Sequence, residues 1–286
     1  MAISVQVEES MLWTIAMGIV LVTAIVYLAS LGYKTTYVCL NQLPKSKFDT
    51  YVINLDRATD RLDHFLKEYS RSDLSTHKQF IRWRATDGLQ LERDGQLDAH
   101  VTAKARHEMR MQLPPSQGGR GYRLFHYECS VGSVACTLSH LSLLASLPNT
   151  DAEYAIIFED DANMAYPKII RYLNCRPFPE DFDMILLSHV CVECKKTPKS
   201  KYYMKVNRFF STAGYIVKVS SVPKILSLPG LYPISRQIDS ELSVAAMKGD
   251  LNIYATRVPL VKQGNFETSI QLPIKPVAGV NIWKLD

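Results

Sequence analysis

The longest apolar run of the chain, Met11 to Leu31 (MLWTIAMGIVLVTAIVYLASL), carries no charge and has no polar face. At about 1.5 Å rise per residue it is long enough to cross a bilayer core of about 30 Å. It reads as one transmembrane helix following a short tail, residues 1–10. A cleaved signal peptide fits less well, because Glu8 and Glu9 precede the run, no Lys or Arg does, and the run is too long. After a stem at residues 32–47 the pattern changes to short apolar runs alternating with amphipathic stretches. Tyr51-Val-Ile-Asn-Leu55 is a compact β-rich run. It leads into Leu62, Phe65, Leu66 and Tyr69, whose i, i+3, i+4, i+7 spacing predicts a helix with these four on its buried face. Ser133 to Leu147 aligns Val134, Leu138, Leu141 and Leu144 on one helical face, and Tyr154-Ala-Ile-Ile-Phe158 reads as a second buried strand. Met184 to Leu187 and Tyr215 to Val217 supply two more strand candidates. Strands alternating with helices predict an α/β fold with a largely parallel central sheet.

Leu91 to Tyr127 breaks this pattern. It is polar, basic and punctuated by Pro114-Pro115 and Gly118-Gly119, so residues 91–127 read as a mobile insertion or lid within a domain spanning 48–286. With 286 residues and 47% hydrophobic positions the chain can bury a sizeable core, which excludes a disordered protein. The net charge of +5 comes from 33 basic and 28 acidic residues mixed along the chain. That mild excess suits anionic ligands or an anionic membrane surface and does not point to nucleic acid. The six cysteines are sparse and reveal no redox compartment. Cys191 and Cys194 form a C-x-x-C just after His189, but a structural zinc needs a second ligand pair that the sequence does not identify.

The candidate chemistry is concentrated in Phe158-Glu159-Asp160-Asp161-Ala162, three carboxylates at the C-terminal end of an apolar strand. In an open α/β sheet ligands bind at that end. Adjacent acids repel unless a cation or basic groups neutralise them, and a divalent ion bridging a diphosphate does so. A solvated polar strand terminus is the alternative, and the position directly after Ala-Ile-Ile-Phe favours the site. A second feature is Asn54-Leu-Asp-Arg57 with Arg61 one turn later, where the first strand meets its helix. Arginines there can pair bidentately with phosphate oxygens, assisted by the helix N-terminus. Surface ion pairs with Asp60 and Asp63 are the competing reading.

Taken in order, several segments resemble glycosyltransferase family 25, the lipopolysaccharide-type and collagen-type galactosyltransferases. They are Tyr51-Val-Ile-Asn-Leu-Asp-Arg57 with Arg61, Ala85-Thr-Asp-Gly88, Gly132 with Cys136 and Leu138-Ser-His140, and Phe158 to Ala162. Thr212-Ala-Gly-Tyr215, Ile238-Asp-Ser-Glu-Leu242, and Gln263 followed by Ser269-Ile270 are similar to the C-terminal half of that family. The resemblance implies a GT-A-like nucleotide-diphosphate-sugar transferase fold, with Asp161 and Glu159 or Asp160 holding Mn²⁺ or Mg²⁺ against the diphosphate. It implies that Asn54, Arg57 and Asp87, with Arg61 and Ser139, line the donor side, while His140 reads as a helix residue packed under the site. Family members that act on β-linkages invert the anomeric carbon, which requires a general base. Asp239 is the first candidate and Glu241 the second. GT-A enzymes often add a C-terminal histidine to the metal, yet no histidine follows His189 here, so Asp239, Gln263 or water would take that position.

The expected activity is transfer of a hexose, galactose or glucose favoured, from a UDP-sugar to a glycan or glycoprotein acceptor with inversion. The alternative is a non-catalytic membrane glycan-binding or virion/surface protein that retains the fold. Orientation stays open: Lys34, Lys45 and Lys47 follow the apolar helix and no N-x-S/T sequon occurs, which places the domain in the cytosol. The order tail, anchor, stem, catalytic domain is instead that of lumenal Golgi or ER glycosyltransferases.

Overall fold

A computed structural model describes residues 47–112, 129–198, 200–264 and 266. The expected tail, transmembrane helix and nearly all of the stem lie outside the described residues, as do residues 113–127 of the expected lid and Ser269-Ile270.

The described strands are β1 (Phe48–Asn54), β2 (Ile81–Arg84), β3 (Tyr154–Glu159), β4 (Ala162–Asn163) and β5 (Met184–Leu186). They continue with β6 (Val190–Thr197), β7 (Ser200–Phe210), β8 (Gly214–Lys218), β9 (Ile253–Thr256) and β10 (Lys262–Gln263). Eight of them form one sheet in the order β2-β1-β3-β8-β5-β9-β7-β6, and β4 and β10 pair separately. The helices are α1 (Thr59–Ser70), α2 (Leu74–His77), α3 (Gly88–Arg93), α4 (Ala103–Gln112) and α5 (Val131–Ser146). They end with α6 (Ile169–Asn174), α7 (Val222–Leu226) and α8 (Ile238–Lys248).

The sheet is mixed, which corrects the expectation of a mostly parallel one. β1 runs parallel to β2 and β3, and β5 to β9. β8 lies antiparallel between β3 and β5, and β7 is antiparallel to both β6 and β9. For β6 and β7 the cause is connection length: β6 ends at Thr197 and β7 begins at Ser200, too close for the crossover of about a dozen residues or more that a parallel pair needs.

Alternation along the strands fills two cores. Ala155 and Ile157 of β3 face a layer built from Leu143 and Leu144 of α5, Val222 and Ile225 of α7, and Ile238 and Leu242 of α8. Ile156 and Phe158 face the other layer, with Phe65 and Tyr69 of α1 and Ile169 and Leu173 of α6. The result is three layers, helices on both faces of the sheet. Leu66, expected on the buried face of α1, is exposed because Phe65 and Tyr69 form the stripe that meets the sheet. Among the described residues one helical stretch, Val131–Asn149, is long and apolar enough to cross a membrane, but half of it is buried within the fold, as a core helix is.

α5 opens on a capping box in which the Ser130 side chain accepts from the Ser133 amide while Ser133 accepts from the Ser130 amide. Residues 91–112, part of the expected mobile lid, are largely helical. Leu97, Val101 and Ala105 pack with Cys129, Val134 and Ile234 in a small third core against α5.

Candidate active site

The chain leaves β1 for β2 on one side and later returns to β3 on the other, so the strand order reverses between β1 and β3. Such a switch point opens a crevice at the carboxyl ends of the strands. Asn54 ends β1 and Glu159 ends β3, with Ile53 opposite Glu159 in register. The three consecutive acids therefore turn out of β3 directly into that crevice, and all three are buried.

Each acid has a different set of partners. The Glu159 Oε1 accepts from Thr212 Oγ1 at 2.7 Å and lies 3.3 Å from His140 Nε2. His140 is fully buried, and its Nδ1 meets the Tyr215 hydroxyl at 2.9 Å. Asp160 Oδ2 accepts from Asn54 Nδ2 at 2.8 Å, and its Oδ1 is ion-paired with Arg61. Asp161 Oδ2 accepts from Gln263 Nε2 at 3.2 Å and is 3.4 Å from Arg61. Asp161 Oδ1 is buried and has no hydrogen-bond partner among the described residues. The β4–β10 ladder sets Gln263 opposite Ala162, which brings the C-terminal segment onto the acids, and the Gly264 amide donates to the Asp161 carbonyl at 2.7 Å.

The electrostatics follow from this crowding. Burial raises the pKa of Glu159, but its His140 and Thr212 hydrogen bonds and the Arg61 charge outweigh burial and hold it below the usual range. Burial keeps Asp160 above its ordinary value against the opposing pull of Arg61 and Asn54. Asp161 is pushed up to about 7 by burial and by the Glu159 charge, with Arg61 and Gln263 only partly compensating. A carboxylate that is buried, crowded by like charge and left with a bare oxygen is short of a cation. The residues present thus fit a hard divalent ion, which takes oxygen ligands.

The donor-side candidates lie at the ends of β1 and β2. Arg57 is ion-paired with Asp87, and the Asp87 Oδ1 caps α3 by accepting from the Leu89 amide at 3.0 Å. Both line a cleft of about 490 Å³ with Leu55, Asp56, Arg84 and Thr86. Arg82 Nε donates to Asn54 Oδ1 at 2.9 Å and so orients Asn54 toward Asp160. Ser139 is buried in α5, where its Oγ accepts from the Thr86 amide at 2.8 Å. It positions the loop that carries Asp87 and does not open to the cleft. Gly88 allows this close packing, since a Cβ there would stand 2.7 Å from the Val131 carbonyl oxygen.

The two candidate bases separate. Asp239, in the first turn of α8, accepts from the Ser211 amide at 3.1 Å and from its neighbour Ser240 at 2.7 Å. Ser211 precedes Thr212, the partner of Glu159, so Asp239 belongs to the same end of the sheet. Glu241 is turned away into the fold. It is buried, pairs with Arg236 at 3.1 Å, and fills the place a Cβ on Gly230 would take.

One cluster was missed by reading the sequence. Cys136, His140 and Glu159 offer ligand atoms all within 4.8 Å, a possible metal site that shares Glu159 with the acidic triplet. Burial first, and then Glu159, Asp239, Asp161 and Asp160, hold the Cys136 thiol well above its ordinary range. The i, i+4 spacing of Cys136 and His140 on a helix was the available signal. Cys191 and Cys194 are joined as a disulfide in β6 and His189 Nε2 binds the Thr256 carbonyl, which removes the zinc reading of that C-x-x-C.

The family described as glycosyltransferase family 25 (LPS biosynthesis protein) matches residues 48–239, from the first residue of β1 to Asp239. The chain belongs to glycosyltransferase family 25. Membership in family 25 indicates a glycosyltransferase-type function, with a sugar donor and a glycan acceptor. No curated protein sequence matches the chain. Among solved structures it is similar to that described as the crystal structure of A197 from STIV, with a TM-score of 0.37 and 9% identity over 80% of this chain and 100% of the other. A likeness at that level speaks to neither activity nor site.

Proposed function

We propose that this family 25 chain is a metal-dependent hexosyltransferase of GT-A type. It moves galactose or glucose from a UDP-sugar to a glycan or glycoprotein acceptor with inversion. The observation that carries the reading is the buried triplet at the switch point, with Asp161 Oδ1 lacking a hydrogen-bond partner among the described residues. Asp161, with Asp160 or Glu159, would hold Mn²⁺ or Mg²⁺. Such an ion, when bound, offsets the negative charge of the diphosphate as it departs. Arg57 and Asp87 line the adjoining cleft as the nucleotide side, and Asn54 fixes Asp160. Asp239 is the acceptor-side base: its carboxylate is held by backbone amides and would take the proton of the attacking hydroxyl. Glu241, already paired with Arg236, is left to stabilise the start of α8. Residues 11–31 would anchor the domain to a membrane.

The test is release of UDP from UDP-galactose and UDP-glucose by the detergent-solubilised full chain, with Mn²⁺ and with EDTA. Mn²⁺-dependent release supports the reading. A folded chain that releases no UDP from any UDP-hexose under either condition contradicts it.

A further inference from the structure

Arg57, in the turn before α1, and Arg61, in its first turn, lie four residues apart, yet they are used differently. The Arg57 charge is taken by Asp87 at the cleft. Arg61 reaches inward: its guanidinium is ion-paired with Asp160 Oδ1 and lies 3.4 Å from Asp161 Oδ2, with only 15% of the side chain exposed. No other basic side chain is ion-paired with these two acids among the described residues. The Phe266 ring covers the group at 5.7 Å, and His64 packs edge-on against that ring at 4.9 Å. Arg61 therefore neutralises the two carboxylates on which a divalent ion would depend. A cation settling at Asp161 Oδ1 and the guanidinium at Asp161 Oδ2 would sit on one carboxylate and repel each other. Asp160 is not stranded when Arg61 leaves, because Asn54 continues to donate to it at 2.8 Å. A displaced guanidinium needs a new anion, and its planar fork matches phosphate oxygens.

We propose that Arg61 is a built-in substitute for the metal. It occupies Asp160 and Asp161 in the free protein, yields them to the divalent ion, and passes to the diphosphate of the arriving donor. Metal and nucleotide then bind cooperatively, and each tightens the other by the same factor. This rests on the metal-dependent reading above and adds to it an order of events at the site.

The test is Mn²⁺ binding to the full chain, followed by electron paramagnetic resonance of the free ion, with and without UDP. In the parent, UDP tightens Mn²⁺ binding by at least about fivefold. Arg61→Gln binds Mn²⁺ more tightly than the parent when UDP is absent, and UDP tightens it by a smaller factor than in the parent. A variant that binds Mn²⁺ no better without UDP, or that keeps the whole UDP effect, overturns the proposal. Should Arg61→Gln fail to fold, Arg61→Lys takes its place. It keeps the charge but not the fork, so Mn²⁺ binding without UDP stays near the parent while the UDP effect shrinks, and an undiminished UDP effect overturns the proposal. If the parent binds no Mn²⁺ even with UDP, the metal-dependent reading falls and this proposal with it. If the parent binds and the Arg61 variants do not follow, the proposal falls alone.

Discussion

Asp161 contributes to the pH dependence of the metal-free protein. Burial, and after it the charge of Glu159, lifts its carboxyl from an ordinary value of 3.8 to about 7. Between these two values the folded chain holds a proton that the unfolded chain has released, so stability falls as pH rises through that window. The penalty is complete above about pH 7 and absent below the unfolded value. In EDTA the parent should therefore lose melting temperature from pH 5 to 7.5 relative to Asp161→Asn, which has no carboxylate to ionise. Parallel melting curves across that range would remove Asp161 from this role. Asp239 calls for a different outcome. Asp239→Asn should keep UDP and Mn²⁺ affinity while turnover drops by about 10² to 10⁴. A loss of binding with no change in the rate at saturation would make it a donor-site residue instead. The acids themselves were legible in the sequence because they are contiguous and follow an apolar strand. Their partners were not: Asn54 lies 106 residues from Asp160, and His140 reaches Glu159 only because α5 packs beneath β3. Arg61 was visible as a basic residue on the first helix, but its choice of carboxylate over open cleft is decided by the fold.

Among the elements, β1 and β3 were readable as short runs buried on both faces, and α1 and α5 from helical spacing, although Leu66 of the first is exposed and Leu138 and Leu141 of the second are half-buried. The β6–β7 hairpin was not. β6 is a largely exposed edge strand bearing Lys195 and Lys196, and its register against β7 shifts at Cys191, Glu193 and Lys196, so no clean alternation survives. Strand polarity was beyond periodicity altogether, because a buried strand has the same pattern whether its neighbour runs with it or against it. The contact of α3 with α5 offers a check at this scale. Gly88→Ala would place a Cβ 2.7 Å from the Val131 carbonyl oxygen and 3.1 Å from the Ala135 Cβ, and neither neighbour is a flexible side-chain end. Overpacking of this kind costs about 1 to 3 kcal/mol. The urea midpoint should fall accordingly, and because Asp87 caps α3, UDP affinity should weaken with it. An unchanged midpoint would show that the two helices can separate freely.

For the whole molecule, the match to family 25 runs from β1 to Asp239 and takes in most of both cores, the switch point and the acidic triplet. The three layers bring to one end of the sheet what the chain keeps far apart: the β1 terminus, the β3 terminus, the start of α8 and the C-terminal β10. The order of segments in the sequence was enough to indicate the family, whereas the mixed sheet that assembles them emerged only from the connections. The central claim is that the triplet is where a divalent ion meets the donor. It is tested most directly by Mn²⁺ affinity in the presence of UDP, measured on the parent and on Asp161→Asn, which keeps the shape and removes one charge. Loss of a ligand of this type should weaken the ion by at least about tenfold to a hundredfold. Equal Mn²⁺ affinity in the two proteins would contradict the account.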